Sequence, residues 1–250
     1  MYVVKTQAAI NFGRLVTTIL PEVDYIDDSN SPAAGHLYTH TGYDGLGRRQ
    51  WQSDTVDVDN PSLVSGDDKR LFEYDAAGRL VKTTLPKPGG ASENPVYRYI
   101  FDAYGSLSGI MDPCDRLTVF EYDEQGRQVK KYMPFKVASP ETILTAQDVY
   151  AAIPSSPEPA SETRSYDEFG RLDTVTDYMG QAAVYEYYTS DDMLDSTGGP
   201  GQLKTQYFYD DAEVLCSQFG YTYDTLGRKV TETITEYDET GTTVSYEKCY

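Results

Sequence analysis

The sequence predicts an all-β chain of antiparallel β-hairpins with one short helix. Three observations carry that expectation. A Tyr-Asp-x-x-Gly-Arg string recurs along the chain, its flanks read as short strands, and tyrosine is abundant, with 23 Tyr against 8 Phe and 1 Trp.

Five copies of the string are intact: Tyr43-Asp44-x-x-Gly47-Arg48, Tyr74-Asp75-x-x-Gly78-Arg79, Tyr122-Asp123-x-x-Gly126-Arg127, Tyr166-Asp167-x-x-Gly170-Arg171 and Tyr223-Asp224-x-x-Gly227-Arg228. FDAYGS from Phe101 and YDETGT from Tyr237 keep the turn without the Arg, and YTSDDM from Tyr188 and YDDAEV from Tyr209 are weaker traces. Phe101 to Tyr122 spans 21 residues, which is the base period, in the range of short-unit repeat architectures. Longer gaps are insertions.

Turn chemistry explains the string. Asp is favoured at the first position of a type I turn and Gly at the fourth. A type I turn followed by a left-handed residue closes a three-residue hairpin loop with a bulge. The two middle residues and Gly are then the loop, and Gly47, Gly78, Gly126, Gly170 and Gly227 should have positive φ. Asp and Arg face each other across the hairpin, a pair worth about 0.2–1 kcal/mol. Segments such as LFEY (71–74) and VFEY (119–122) lead into turns, and RLVKTTLP (79–86), RQVKKYMP (127–134) and SLSGIMDP (106–113) lead out. The closing Pro of the last three reads as a strand stop. Phe72 and Tyr74 alternate onto one face and Lys82 would join them from across the hairpin, so either the register is off by one or both faces are partly solvated, and the tyrosine content favours the second.

Other stretches depart from the repeat. Residues 22–34 and 52–69 read as acidic, Ser- and Pro-containing loops, and 87–95 as a turn-rich loop. Residues 139–153 combine a Ser N-cap, Pro at the first helical position and helically spaced apolar residues, which predicts one short helix. A Pro- and Ser-rich linker comes after it at 154–160. The chain is expected to be a single repeat region over 1–250, with clear repeats at 43–242 and the helical and Pro-rich insertion at 135–162.

Lys plus Arg is 21 and Asp plus Glu 40, a net charge of −19. That balance disfavours nucleic-acid phosphate, which needs clustered basic residues, and anionic membrane surfaces. No segment reaches the roughly 18 apolar residues of a membrane helix, and residues 1–11 carry no signal-peptide core. Val, Ile, Leu and Phe make only a fifth of the chain. Tyrosine, with an apolar body and a polar tip, must supply much of the buried area, so partly wet sheet surfaces are expected rather than a thick aliphatic core.

No chemical site emerges. Cys114, Cys216 and Cys249 are odd in number and far apart, which fits buried or incidental thiols. His36 and His40 read as a loose surface pair, with Asp44 the sole nearby candidate for a third metal ligand. Asp57, Asp59, Asn60, Asp67 and Asp68 fail the EF-hand pattern and read as a solvated acidic loop. The motif arginines could form a ladder for an anionic glycan, but each has an Asp opposite. No nucleophile stands beside a base, so no catalytic residue, metal or cofactor is expected.

The string and its period resemble the YD-repeat, or RHS-repeat, family, over about Tyr43 to Thr242. YDEQGRQVKKYMPF (122–135) is similar to bacterial members more than to animal teneurins. The resemblance implies a spiral strip of β-hairpins closing into a hollow shell, which in bacterial toxins encloses a C-terminal toxic domain and in teneurins serves adhesion. The Asp-Pro-x-Gly-type signature associated with self-cleavage is not found, since Asp112-Pro113 is followed by Cys114. The expected function is a structural shell segment, extracellular or at a cell surface. Its expected partners are adjacent repeats and a toxin domain outside this chain. The alternative is a surface adhesion or carbohydrate-binding repeat module.

Overall fold

The computed structural model describes residues 3–8, 14–26, 32–56, 65–192, 198–237 and 243–250. Among them run seventeen strands. They are β1 (Val3–Ala8), β2 (Arg14–Ile26), β3 (Pro32–Tyr43), β4 (Arg49–Val56), β5 (Arg70–Tyr74), β6 (Leu80–Thr84), β7 (Val96–Phe101), β8 (Leu107–Met111) and β9 (Arg116–Tyr122), then β10 (Gln128–Lys136), β11 (Ser161–Tyr166), β12 (Leu172–Thr176), β13 (Ala182–Tyr187), β14 (Leu203–Tyr209), β15 (Leu215–Tyr223), β16 (Lys229–Tyr237) and β17 (Thr243–Cys249). The one α-helix among the described residues, α1, is Ala146–Ala151.

The chain forms two compact units, Met1–Leu117 with Lys136–Ala146, and Thr118–Phe135 with Gln147–Tyr250. In the first, β1 to β8 each pair antiparallel with the next strand. In the second, β10 to β17 do the same. Alternate turns of such a meander lie on one edge. The motif turns are those after β3, β5 and β7 in the first unit and after β9, β11, β13 and β15 in the second, so within each unit they share an edge.

Six of the motif hairpins carry a bulge at the same place. Gly42 pairs with Trp51 but Tyr43 with Arg49, so Gln50 is extra. Val81, Ser108, Asp173, Lys204 and Val230 are extra in the same way. One extra residue shifts the facing of every later side chain on that strand. This corrects the expected alternation. With Val81 bulged, Lys82 pairs with Glu73, its Nζ 2.8 Å from Glu73 Oε1, and Glu73 alternates away from Phe72 and Tyr74.

Fully dry packing is thin. The buried hydrophobics among the described residues are Ile100, Met111, Leu117 and Ile143 in the first unit and Val119, Tyr132, Val149 and Tyr188 in the second. Two of the eight are tyrosines.

Several local expectations are corrected. Residues 22–26 and 32–34 are paired strand rather than loop, because β2 runs to Ile26 and β3 begins at Pro32. β4 extends to Val56, so 52–56 is strand. The helix expected over 139–153 is confined to α1, preceded by a 3-10 turn at Pro140–Thr142. Ser139 makes no side-chain cap bond and Ile143 is extended, as the β-branched Thr142, Ile143 and Thr145 favour. Pro134 lies inside β10 instead of ending it. Pro113 stands after Asp112 as the second residue of a turn, where its fixed φ fits. All three cysteines are exposed. His36 is exposed but His40 is fully buried, its Nδ1 3.0 Å from Thr17 Oγ1 on β2, so the two do not form a surface pair. Asp57, Asp59, Asn60 and the turn after Tyr237 lie outside the described residues.

Candidate functional site

The candidate site is the motif edge itself. In the first intact copy, Asp44 N–H donates to the Arg48 carbonyl and Gly47 N–H to the Asp44 carbonyl, which closes the loop. Asp44 Oδ1 accepts the N–H groups of Leu46 and Arg48, each at 2.9 Å, and Oδ2 accepts Arg48 Nε at 2.7 Å. Arg79, Arg127, Arg171 and Arg228 donate Nε to Asp75, Asp123, Asp167 and Asp224 at 2.7, 2.7, 2.6 and 2.6 Å. The five motif glycines have φ of 79°, 83°, 77°, 80° and 78°. Nothing lies within 4 Å of a Cβ built on Gly47, so backbone conformation, not space, selects glycine there.

These bonds set the charge state. The Arg79 backbone N–H and guanidinium hold the Asp75 carboxyl below its ordinary value, and the Arg228 backbone N–H leads the same effect at Asp224. At Asp44, Asp123 and Asp167 desolvation pushes upward, but the backbone and guanidinium bonds together outweigh it.

The same arrangement occurs where the sequence hid it. Asp112 Oδ1 accepts Cys114 and Arg116 N–H, its Oδ2 accepts Arg116 Nε at 2.7 Å, and Asp115 takes the glycine position at φ 57°. Asp177 closes a turn with Gly180, and Asp210 one with Glu213 at φ 61°. These three turns come after β8, β12 and β14 and lie off the motif edge. Tyr209 therefore precedes a turn of the opposite edge.

Neighbouring motif turns are stapled together. Arg48 lies 4.7 Å over the Tyr74 ring and its Nη1 reaches the Asp75 carbonyl at 3.5 Å. Arg79 lies 4.7 Å over Phe101 and reaches the Asp102 carbonyl at 3.4 Å. Arg127 covers Tyr166 at 4.4 Å and Arg171 covers Tyr187 at 4.2 Å. Register explains the contact: Leu15 pairs with Gly42, so Arg14 stands opposite Tyr43, and Arg14 lies 4.6 Å over that ring. Four tyrosine hydroxyls then donate to the carbonyl just after the closing residue of the preceding turn. Tyr74 donates to Arg49, Tyr166 to Gln128, Tyr187 to Leu172 and Tyr223 to Leu203, at 2.8 to 3.0 Å.

The turn after β13 is a disguised copy. Tyr188 N–H donates to the Gln202 carbonyl and Gly201 N–H to the Tyr188 carbonyl, the closing pattern of Asp44, Gly47 and Arg48. Tyr187 is thus the motif tyrosine and Tyr188 takes the Asp place, one residue off the register the sequence suggested. Gln202 Nε2 still reaches the next turn, donating to the Gly227 carbonyl at 3.2 Å. Asp192 supplies a local carboxylate. Lys204 and the Thr189 N–H and hydroxyl hold it down to about 2.

Asp67 joins Lys87 by an ion pair at 3.1 Å. Among the described residues, His36 and His40 included, no group of three His, Cys, Asp or Glu could hold a metal ion. The arrangement binds turns to one another, and every motif Arg has its Nε committed to an Asp.

No family model matches the chain. It is 28% identical over 240 residues, 93% of its length, to the "Double-stranded DNA deaminase toxin A" of Burkholderia cenocepacia (strain H111), of which it spans 14%. It is 32% identical over 100 residues, 39% of its length, to the "Probable deoxyribonuclease RhsA" of Dickeya dadantii (strain 3937), of which it spans 6%. It resembles a chain of the Photorhabdus luminescens Tc holotoxin pore at TM-score 0.47 and 14% identity, covering 94% of this chain and 13% of that one. The repeat, the stapled hairpins built from it and the sequence relatives together support an RHS-repeat, or YD-repeat, protein.

Proposed function

We propose that the chain is a wall segment of a β-shell that encloses or displays a toxin domain lying outside these 250 residues. The observation that carries this is the staple. Each Arg-on-ring contact and tyrosine bond links one hairpin to the next, so the strip grows by addition of units and gives each hairpin a partner beyond its own turn. The relatives' names supply the cargo class, since they denote a deaminase toxin and a deoxyribonuclease and this chain spans only 14% and 6% of them. In this reading the chain has no activity of its own. Its partners are adjacent repeats and the toxin domain, and it works outside the cell or at its surface.

The test is limited proteolysis of the full-length gene product that contains this chain. A toxin-sized domain should stay protected while the shell is intact and become cleavable when Arg127 and Arg171 are both changed to Ala. Equal cleavage of that domain in both proteins rejects enclosure.

A further inference from the structure

Of the Asp turns on the motif edge, the one at Asp102 has a short side chain, Ser106, at the closing position. Asp102 Oδ1 accepts the N–H groups of Tyr104 and Ser106 at 2.9 and 2.8 Å, the geometry of its siblings. Arg79 Nη1 reaches the Asp102 carbonyl, but among the described residues no basic side chain pairs with the carboxylate, whereas Asp44, Asp75, Asp123, Asp167 and Asp224 each hold an arginine Nε. Directly beside it Tyr104, the third residue of the turn, is 97% exposed.

The chain contains an occupied copy of this arrangement. At the turn after β11, Arg171 Nε lies 2.6 Å from Asp167 Oδ2 and its guanidinium lies 4.9 Å over Phe169, which has the position of Tyr104. Carboxylate and aromatic face there hold one guanidinium between them. We infer that Asp102 and Tyr104 form a receptor for an arginine side chain presented by another polypeptide.

The neighbouring turn tips say more about that partner. Gly45-Leu46, Ala76-Ala77 and Ala103-Tyr104 carry no charge at the two tip positions, although the chain as a whole is at −19, and Leu46 is 79% exposed. Successive tips lie two strands apart, roughly 10 Å, which an extended peptide covers in about three residues. The partner is an extended basic segment with arginine on Asp102 and apolar side chains at three-residue intervals along Ala77 and Leu46. The overall negative charge favours its approach. The inference needs only the turn geometry and stands apart from the shell reading.

The experiment is fluorescence anisotropy of the intact chain with a labelled Arg-Gly-Gly-Leu-Gly-Gly-Leu peptide and its citrulline analogue, which is isosteric and uncharged. Saturable binding is expected for arginine and not for citrulline. Asp102→Asn, which keeps the turn-closing oxygen, should weaken it by about 5-fold or more, the order expected for a charge-assisted pair. Ser106→Arg fills the receptor from within and should weaken binding equally, with the thermal midpoint unchanged or raised. No binding up to millimolar peptide overturns the inference. So does equal binding of citrulline, or indifference to both substitutions.

Discussion

Tyr74, Tyr166 and Tyr187, each ending a strand before a motif turn, do two things at once. The ring lies under the preceding arginine and the hydroxyl fills a backbone acceptor, as at Tyr166, with Arg127 at 4.4 Å and the Gln128 carbonyl at 2.9 Å. The two contributions separate by substitution. Tyr166→Phe keeps the ring and loses the bond, and should cost about 1 kcal/mol in urea unfolding. Tyr166→Ala loses both and should cost about 3 kcal/mol. At the loop, Gly78→Ala meets open space apart from Arg48 Nη1 at 3.9 Å, so its cost should be the left-handed backbone penalty alone, about 1–2 kcal/mol. Glu213, already at φ 61°, offers the converse. Glu213→Gly relieves that penalty, less the added freedom of the unfolded chain, for a gain of about 0.5–1 kcal/mol in the same assay.

Hairpins were legible because their turn residues are chemically specific. Asp, Gly and Arg at fixed offsets announce the loop at every intact copy. Strand facing was not, because a bulge such as Val81 leaves no residue signature and reverses the facing of the rest of its strand. The buried His40 escaped for a related reason. Its burial comes from strands paired across it, Thr17 on one side and Ser53 on the other, which no local pattern encodes. The turn at Asp112 escaped because Asp115 stands where glycine is expected, and the turn at Asp210 shows only as the weak trace from Tyr209 because Glu213 stands there. The staple was half visible: its residues recurred, but the reach of Arg48 to Tyr74 depends on register. The segment after β10 was read as a longer helix because pattern cannot show what holds it. Arg98 on β7 donates to the carbonyls of Pro140 and, at 3.5 Å, Ile143, fixing the 3-10 turn in place of a first helical turn. Arg98→Ala should therefore raise proteolytic cleavage within 137–160 by about 10-fold, one decade per roughly 1.4 kcal/mol of lost local stability, while cleavage elsewhere stays unchanged.

At the scale of the whole molecule, stability should be bounded on both sides by pH. Asp44, Asp75, Asp112, Asp123, Asp167 and Asp224 are all held below 3.8 in the fold, and Asp192 lies at about 2. A carboxyl depressed by folding stabilises the fold above its ordinary value and ceases to as pH falls through the folded one. The urea midpoint should thus hold down to about pH 4 and fall steadily below it. Burial raises Tyr132, Tyr187, Tyr207, Tyr221 and Tyr223 above 10.0, so their share is present below about pH 10 and lost above it. A midpoint that stays flat from pH 4 to 2 would show that the clamps contribute nothing to the fold.

The placement of motif turns after every second strand has a further consequence, which is one of parity. A staple forms only between turns on the same side of the sheet. Gain or loss of a single strand would carry every later motif to the far side and leave the arginine at the break without its ring. Gain or loss of two strands would leave each later pair as it was. The lineage of such a strip should accordingly change length by even steps, and odd events should survive only where a turn on the opposite edge, such as the Asp112 turn with its own Arg116, can take over the role.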